Sequence, residues 1–204
     1  MIAKHPGLRP RNVTMTQQEI DTILVAAPDD IRLWLLLCSD LAMRSGTASR
    51  IGPSNYDPRR RELRFTTKCD EALTLPVTAE IAEMLDTCDH SSPLSYVQQL
   101  GFRQQQARGG QFKANPTRYS INCRFRRLLA TLPVRQNLRP HDLRRTAAVR
   151  MYEHTNDARD VQALLGHRNL ASTIWYLDHD LRPISRATLE LIKRPRAESE
   201  LQHA

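Results

Sequence analysis

The sequence predicts an α+β domain, mainly α-helical, with one small antiparallel β-sheet at about residues 56–77. Three observations lead there. Apolar residues recur at helical spacing, behind capping signals, along most of the chain. The period shortens to two between residues 56 and 77. The 204 residues, 40% hydrophobic and 25% charged, suit one domain with its own core and short tails.

Residues 1–13 carry no periodicity and read as a tail. A helix begins in "TMTQQEIDTILVAA", where Thr16 and Glu19 form a capping box and Ile20, Ile23 and Leu24 form a stripe. Pro28 ends it. Asp29 and Asp30 suit the positive start of the next helix, "DDIRLWLLLCSDLAM", which is apolar nearly all round and therefore central. Gly46, Gly52 and Pro53 interrupt the pattern after it. In "RELRFTTKCDEALTLPV" the alternation of Leu63 and Phe65, then Leu73, Leu75 and Val77, predicts a hairpin turning at Cys69–Glu71. "TAEIAEML" returns to helix. Residues 101–115 are rich in Gln, Arg and Gly with no apolar face, and read as a mobile basic loop.

Pro116 opens a helix through "TRYSINCRFRRLLATL". "HDLRRTAAVRMYEH" predicts another, with Leu143, Ala147 and Met151 inward. "NDARDVQALLGH" follows, capped by Asn156 and closed by Gly166. "GHRNLASTIWY" then predicts a short helix whose aromatics crowd Tyr176. "ISRATLELIK" spaces Ile184, Ala187, Leu191 and Ile192 for one more helix near the C-terminus. No internal repeat is evident.

The 30 Lys and Arg against 22 Asp and Glu leave a net charge of +8, which points first to a polyanionic partner. An anionic membrane would call for a basic amphipathic helix or a lipidation signal, and neither is evident. No run reaches the length of a membrane span, and the N-terminus lacks the apolar stretch of a signal peptide. Cys38, Cys69, Cys88 and Cys123 are far apart and form no C-x-x-C pair. That argues against zinc and for reduced thiols in a cytosolic setting.

Some residues suggest chemistry. His141 and Arg144, three apart at a helix start, share a face and could hold one phosphate, the arginine by its fork of donors. Arg44 sits where an apolar helix breaks, Lys68 beside a hairpin turn, His167 just after a helix end, and Tyr176 nine residues on. Each alone has a plain structural reading: a helix-terminal cation, a solvated hairpin charge, a cap, a core aromatic.

Taken in order, Arg44, Lys68, His141, Arg144, His167 and Tyr176, with "HDLRRT", "LLGHRNLASTIWYLDH" and "KCDEALTLPVT" around them, resemble the catalytic domain of the tyrosine recombinase (phage integrase) family. The resemblance runs from about Thr14 to His179. It implies a tyrosine recombinase-type catalytic domain over residues 14–180, then a C-terminal helix and tail over 181–204. Two departures stand out. Family members usually carry an acidic residue where Thr47 stands. They also usually carry a separate helical, DNA-clamping core-binding domain before this one, here expected to be absent. The chain would then be an excised catalytic domain or a protein that works with an accessory domain or partner.

The resemblance also implies an activity. Tyr176 would attack a DNA phosphodiester to form a 3′-phosphotyrosyl link and free a 5′-hydroxyl, and a second 5′-hydroxyl would reverse the step. One ester replaces another, so no metal, ATP or other cofactor is implied. Arg44 and Arg144 would clamp the non-bridging oxygens and lower the phenol's pKa. His141 would accept the phenol proton, Lys68 would protonate the leaving oxygen, and His167 would donate to a phosphate oxygen. Double-stranded DNA is the expected partner, contacted by Arg59, Arg60, Arg61 and Arg64, by Arg103, Arg108 and Lys113, by Arg124, Arg126 and Arg127, and by Arg145. A homo-oligomer, a tetramer on DNA, is expected, with the helix at 184–193 docking between protomers or packing on its own core. The setting is cytoplasmic, bacterial or phage-type and nucleoid-associated. A type IB topoisomerase-like enzyme, a non-catalytic integrase-derived DNA-binding module and a helical domain with an accidental match are the alternatives.

Overall fold

The structure, a computed structural model, describes residues 11–67, 71–107, 109 and 118–177, apart from the side chains of residues 118–120 and 175. Helix α1 (Gln17–Ala26) opens on its capping box. Glu19 N–H donates to Thr16 Oγ1 at 3.2 Å, and Thr16 N–H donates to the Glu19 carboxylate at 3.0 Å. Ile20 and Ile23 are buried, and Leu24 packs against the same core.

Helix α2 (Asp29–Ser39) is the central element, with Leu33, Trp34, Leu37 and Cys38 fully buried. It packs against α4 (Ala79–Asp86), α5 (Tyr96–Ala107), α6 (Arg118–Leu129) and α7 (Pro140–Thr155). It stops at Ser39, short of the expected Met43. Ala42 takes a left-handed conformation (φ 49°), and Met43 N–H donates back to the Leu37 carbonyl at 3.0 Å. The apolar "LAM" is buried as a turn rather than as helix, so hydrophobicity alone overestimated the helix length. The four-residue α3 (Ser45–Ala48) and a 3₁₀ turn (Pro53–Asn55) follow.

The sheet is antiparallel in the order β1 (Tyr56–Asp57), β2 (Glu62–Thr66), β3 (Ala72–Pro76), with Leu63 opposite Leu75 and Phe65 opposite Leu73. The alternation thus pairs apolar residues on the face turned to the core, where Leu63 is fully buried.

Two further expectations need correction. Residues 101–107 are helical, as the second half of α5, and not loop. Ser95 and Gln98 form a capping box just ahead of them, with Ser95 N–H donating to Gln98 Oε1 at 2.8 Å and Gln98 N–H to Ser95 Oγ at 3.3 Å. Tyr96, Val97 and Leu100 anchor the first half, and glutamine is a good helix former. Gly101 belongs there because a Cβ would come within 3.0 Å of buried Asp30. Residues 108 and 110–115 of the expected loop lie outside the described residues. Second, Asp157 rather than Asn156 caps α8 (Ala158–Leu165), accepting from Arg159 N–H at 2.7 Å. Asn156, left-handed at φ 54°, closes α7 instead.

Helix α7 bridges two apolar clusters. Leu143 belongs to the main core with α1, α2 and α6. Ala147, Ala148 and Val149 join a smaller cluster with Ala42, Val161, Leu164, Leu165 and Leu177, which holds α8 and α9 (Leu170–Leu177). Among the described residues, no helix is long and apolar enough to cross a membrane and no group of side chains is arranged to hold a metal ion. Cys38, Cys88 and Cys123 are free thiols. The expected helix at 184–193 lies outside the described residues.

Candidate active site

The site is built where α2 ends, α7 begins and α8 turns into α9. The left-handed turn at Ala42 swings the chain so that Arg44 enters a cleft as the residue preceding α3. The Arg44 carbonyl accepts from Thr47 and Ala48 N–H, while its side chain lines the cleft and makes no hydrogen bond or ion pair among the described residues, so the guanidinium can take a ligand.

The start of α7 sets the next pair. Pro140 takes the first helical position, and buried Asp142 accepts from Arg139 N–H at 2.8 Å while pairing with Arg11 at 2.9 Å. This pinned first turn leaves the imidazole of His141 exposed at the cleft. One turn on, Arg144 is buried at 4% exposure. It donates to the Leu165 carbonyl at 2.9 Å and to the Ala42 carbonyl, tying the end of α8 to the turn after α2 while lining the cleft. Burial first, then the neighbouring Arg44 cation, pulls its pKa down to about 10, which still leaves it charged at neutral pH.

Helix α8 ends at Gly166, left-handed at φ 58°. A Cβ there would approach Thr67 of the hairpin to 2.7 Å, so only glycine lets α8 close onto the sheet. His167 follows, its Nδ1 3.0 Å from Oγ1 of fully buried Thr173. Burial, then Arg144 and Arg44, lower its pKa to about 4, so it is neutral near pH 7.

Tyr176 lies between these groups. Its Oη is 3.3 Å from His141 Nε2. Its ring meets His141 edge-on at 5.6 Å between centroids and His167 at 6.1 Å. Burial raises the phenol's pKa to about 12 against the lowering pull of Arg144, Arg145 and Arg44. The arginines act in the expected direction, but the expected net lowering is overturned because desolvation outweighs them. His141 itself is lowered, by desolvation first and then Arg144, so it is a free base at neutral pH.

The cleft has a volume of about 810 Å³. Arg44, Arg50, Arg126, Arg139 and Arg144 line it with His141, and among the described residues its wall includes no carboxylate. Thr47, where an acid was expected by resemblance, is in that wall, as are Thr66 and Thr67 at the end of β2. Lys68 comes next in the chain but lies outside the described residues, with Arg108 and Lys113. Five of the six candidate positions are therefore described, and all five meet at this cleft or at the tyrosine beside it.

The expected DNA contacts divide. Arg59, Arg60, Arg61, Arg64, Arg103, Arg126 and Arg127 are exposed. Arg124 is only partly free, since it pairs with buried Asp30, Nη2 to Oδ1 at 2.8 Å. Arg145 is a correction: it is buried at 2% exposure, so its guanidinium is not on an outer surface. Sequence reasoning passed over Arg50 and Arg139. Arg139 stands directly before "PHDLRR", a signal that could have found it, whereas Arg50 reaches the cleft only through the irregular turn after α3.

Comparison with known proteins agrees with this picture. The sequence model of the phage integrase family matches residues 13–182. The tyrosine recombinase XerC of Agrobacterium fabrum is 29% identical over 150 residues, which are 72% of this chain and 45% of that protein. The chain thus spans about half the length of this curated relative. The fold resembles XerH site-specific recombinase bound to its difH substrate, with a TM-score of 0.63 and 15% identity over 91% of this chain and 55% of that one. It also resembles the catalytic domain of bacteriophage HP1 integrase, with a TM-score of 0.58 and 18% identity over 90% of this chain and 96% of that one. With its family model spanning every described element and its fold that of a tyrosine recombinase catalytic domain, the chain belongs to the phage integrase family.

Proposed function

We propose that this chain is a site-specific DNA recombinase that breaks and rejoins strands through a 3′-phosphotyrosyl intermediate at Tyr176. The observation that carries the proposal is Tyr176 Oη at 3.3 Å from His141 Nε2, beside a cleft lined, among the described residues, by five arginines and no carboxylate. In the forward step the phenol proton passes to His141 and Oη bonds to phosphorus. The P–O5′ bond breaks, and Lys68 supplies the proton to the departing 5′-oxygen. The 5′-hydroxyl of another strand then gives its proton back to Lys68 and attacks the same phosphorus, and Tyr176 leaves with its proton restored from His141. Arg44 and Arg144 hold the non-bridging oxygens, where one well-placed donor is worth about 3–4 kcal/mol. Thr173 Oγ1, 3.0 Å from Nδ1, can donate to it; in that tautomer His167 keeps its proton on Nε2 and donates it to the phosphate as a neutral imidazole. Balanced exchange of one ester for another needs neither metal nor ATP.

Double-stranded DNA is the proposed partner, in keeping with the +8 charge and with a structural neighbour that is bound to its DNA substrate. Assembly into a tetramer through residues 184–193, and help from an accessory DNA-binding domain or protein, belong to the same proposal.

The test is covalent capture. Wild type and Tyr176→Phe are incubated with fragmented genomic DNA, denatured in detergent, and the attached DNA is sequenced. Capture by wild type alone, at a recurring sequence, is expected. Adduct formation by Tyr176→Phe would remove Tyr176 from its role. Supercoil relaxation without strand exchange would redirect the reading to a type IB topoisomerase-like enzyme, and salt-sensitive binding with no adduct to a DNA-binding module.

A further inference from the structure

An arginine with 2% exposure requires a reason, because burying a cation is costly and an apolar side chain would fill the same space at less cost. Arg145 stands on α7 directly after Arg144, yet its guanidinium goes elsewhere. Nη1 donates to the main-chain carbonyl of Tyr176 at 2.5 Å, and Cζ lies 5.4 Å from the centroid of the Tyr176 ring. One planar cation therefore holds one residue at two points, main chain and side chain. A lysine, a point charge on a flexible stem, has no fork to do both.

The elements explain why such a hold is needed. Helix α9 has eight residues, too few to be stable by itself, so its position depends on tertiary ties. The Tyr176 carbonyl is in its last turn, where carbonyls lack partners within the helix and the helix dipole favours a cation. The ring already has imidazole edges against it from His141 and His167. Arg145 adds a third contact to the ring and fixes the main chain from which the ring is hung.

We propose that Arg145 is the positioning residue of the nucleophile: it pins the Tyr176 main chain and braces its ring so that Oη stays within reach of His141. It does not touch the phosphate. That this serves catalysis rests on the reading of Tyr176 as nucleophile.

The experiment uses the full chain with 3-fluorotyrosine at position 176 alone, in the wild-type background and with Arg145→Met or Arg145→Lys. Fluorine NMR reads ring order without DNA, and a separate unlabelled set measures adduct formation and non-covalent DNA retention. In Arg145→Met the fluorine line is expected to shift and broaden. Adduct formation is expected to fall by about 100-fold, the cost of displacing a reacting group by about 1 Å, while DNA retention is unchanged. Arg145→Lys should fall between the two, and it carries both readouts if Arg145→Met does not fold. A wild-type fluorine line in the variants, or adduct formation at the wild-type rate, would overturn the proposal. Absence of any wild-type adduct, with the fluorine response intact, would count against the function of Tyr176 and not against the brace.

Discussion

His141 is the residue on which the pH dependence should turn. Its pKa is lowered below the ordinary 6.5 by desolvation and by Arg144, while burial lifts Tyr176 to about 12. At neutral pH the pair is thus a free imidazole facing an intact phenol, which is the state a general base needs. Adduct formation should be lost as pH falls through the lowered imidazole pKa and hold level above it. His141→Gln should slow the step by about 100- to 10,000-fold and abolish that acidic limb, leaving a rate that climbs with hydroxide. Single-turnover rates from acid to alkaline pH would check both. An unchanged acidic limb in the variant would assign it to another group. His167, lowered to about 4, stays neutral across most of that range and contributes little to the profile.

At the scale of elements, the contact between α8 and the hairpin decides how His167 stands relative to the end of β2. Gly166 is left-handed, and a Cβ would stand 2.7 Å from Thr67 Cγ2. Gly166→Ala combines about 1–2 kcal/mol of backbone strain with overpacking against that side chain. Urea unfolding should show a loss of about 2 kcal/mol or more, together with a slower adduct step. A variant as stable as wild type would mean that the hairpin yields freely. Capping was the more legible signal at this scale. The Thr16–Glu19 box and Gly166 at a helix end could both be read from local sequence, because each is satisfied within a few residues. Helix α5 was missed because its box, Ser95 and Gln98, precedes the Gln-rich stretch and its face is completed by Asp30, far away in the chain.

For the whole molecule, the cleft is walled by residues from the turn after α2, from α3, from the end of β2, from α6 and from the start of α7. Arg44 arrives from the end of α2, His141 and Arg144 from α7, and His167 and Tyr176 from beyond α8. The arginines from these elements summate into one positive field. DNA affinity should therefore fall linearly in log–log terms with salt, and Arg126→Ala, exposed in the cleft wall, should flatten the slope by about one. Arg145→Met should leave the slope unaltered, since its charge is internal. Binding titrations over a range of salt would separate the two, and equal slopes for wild type and Arg126→Ala would place that side chain away from phosphate.

The sequence by itself determined the hairpin and most of the helices, though not α5, through periodicity and capping, both local effects. It also determined the order of candidate residues from Arg44 to Tyr176. Only the tertiary structure decided what each basic residue does. Arg144 and Arg145 are neighbours in one motif, yet one lines the cleft and the other sits against the tyrosine, because successive residues on a helix point about 100° apart and meet different partners. Tertiary structure likewise decided the sign of the tyrosine's pKa shift. Charge near Tyr176 could be counted from the sequence, but the burial that outweighs it exists only when α7, α8 and α9 pack together.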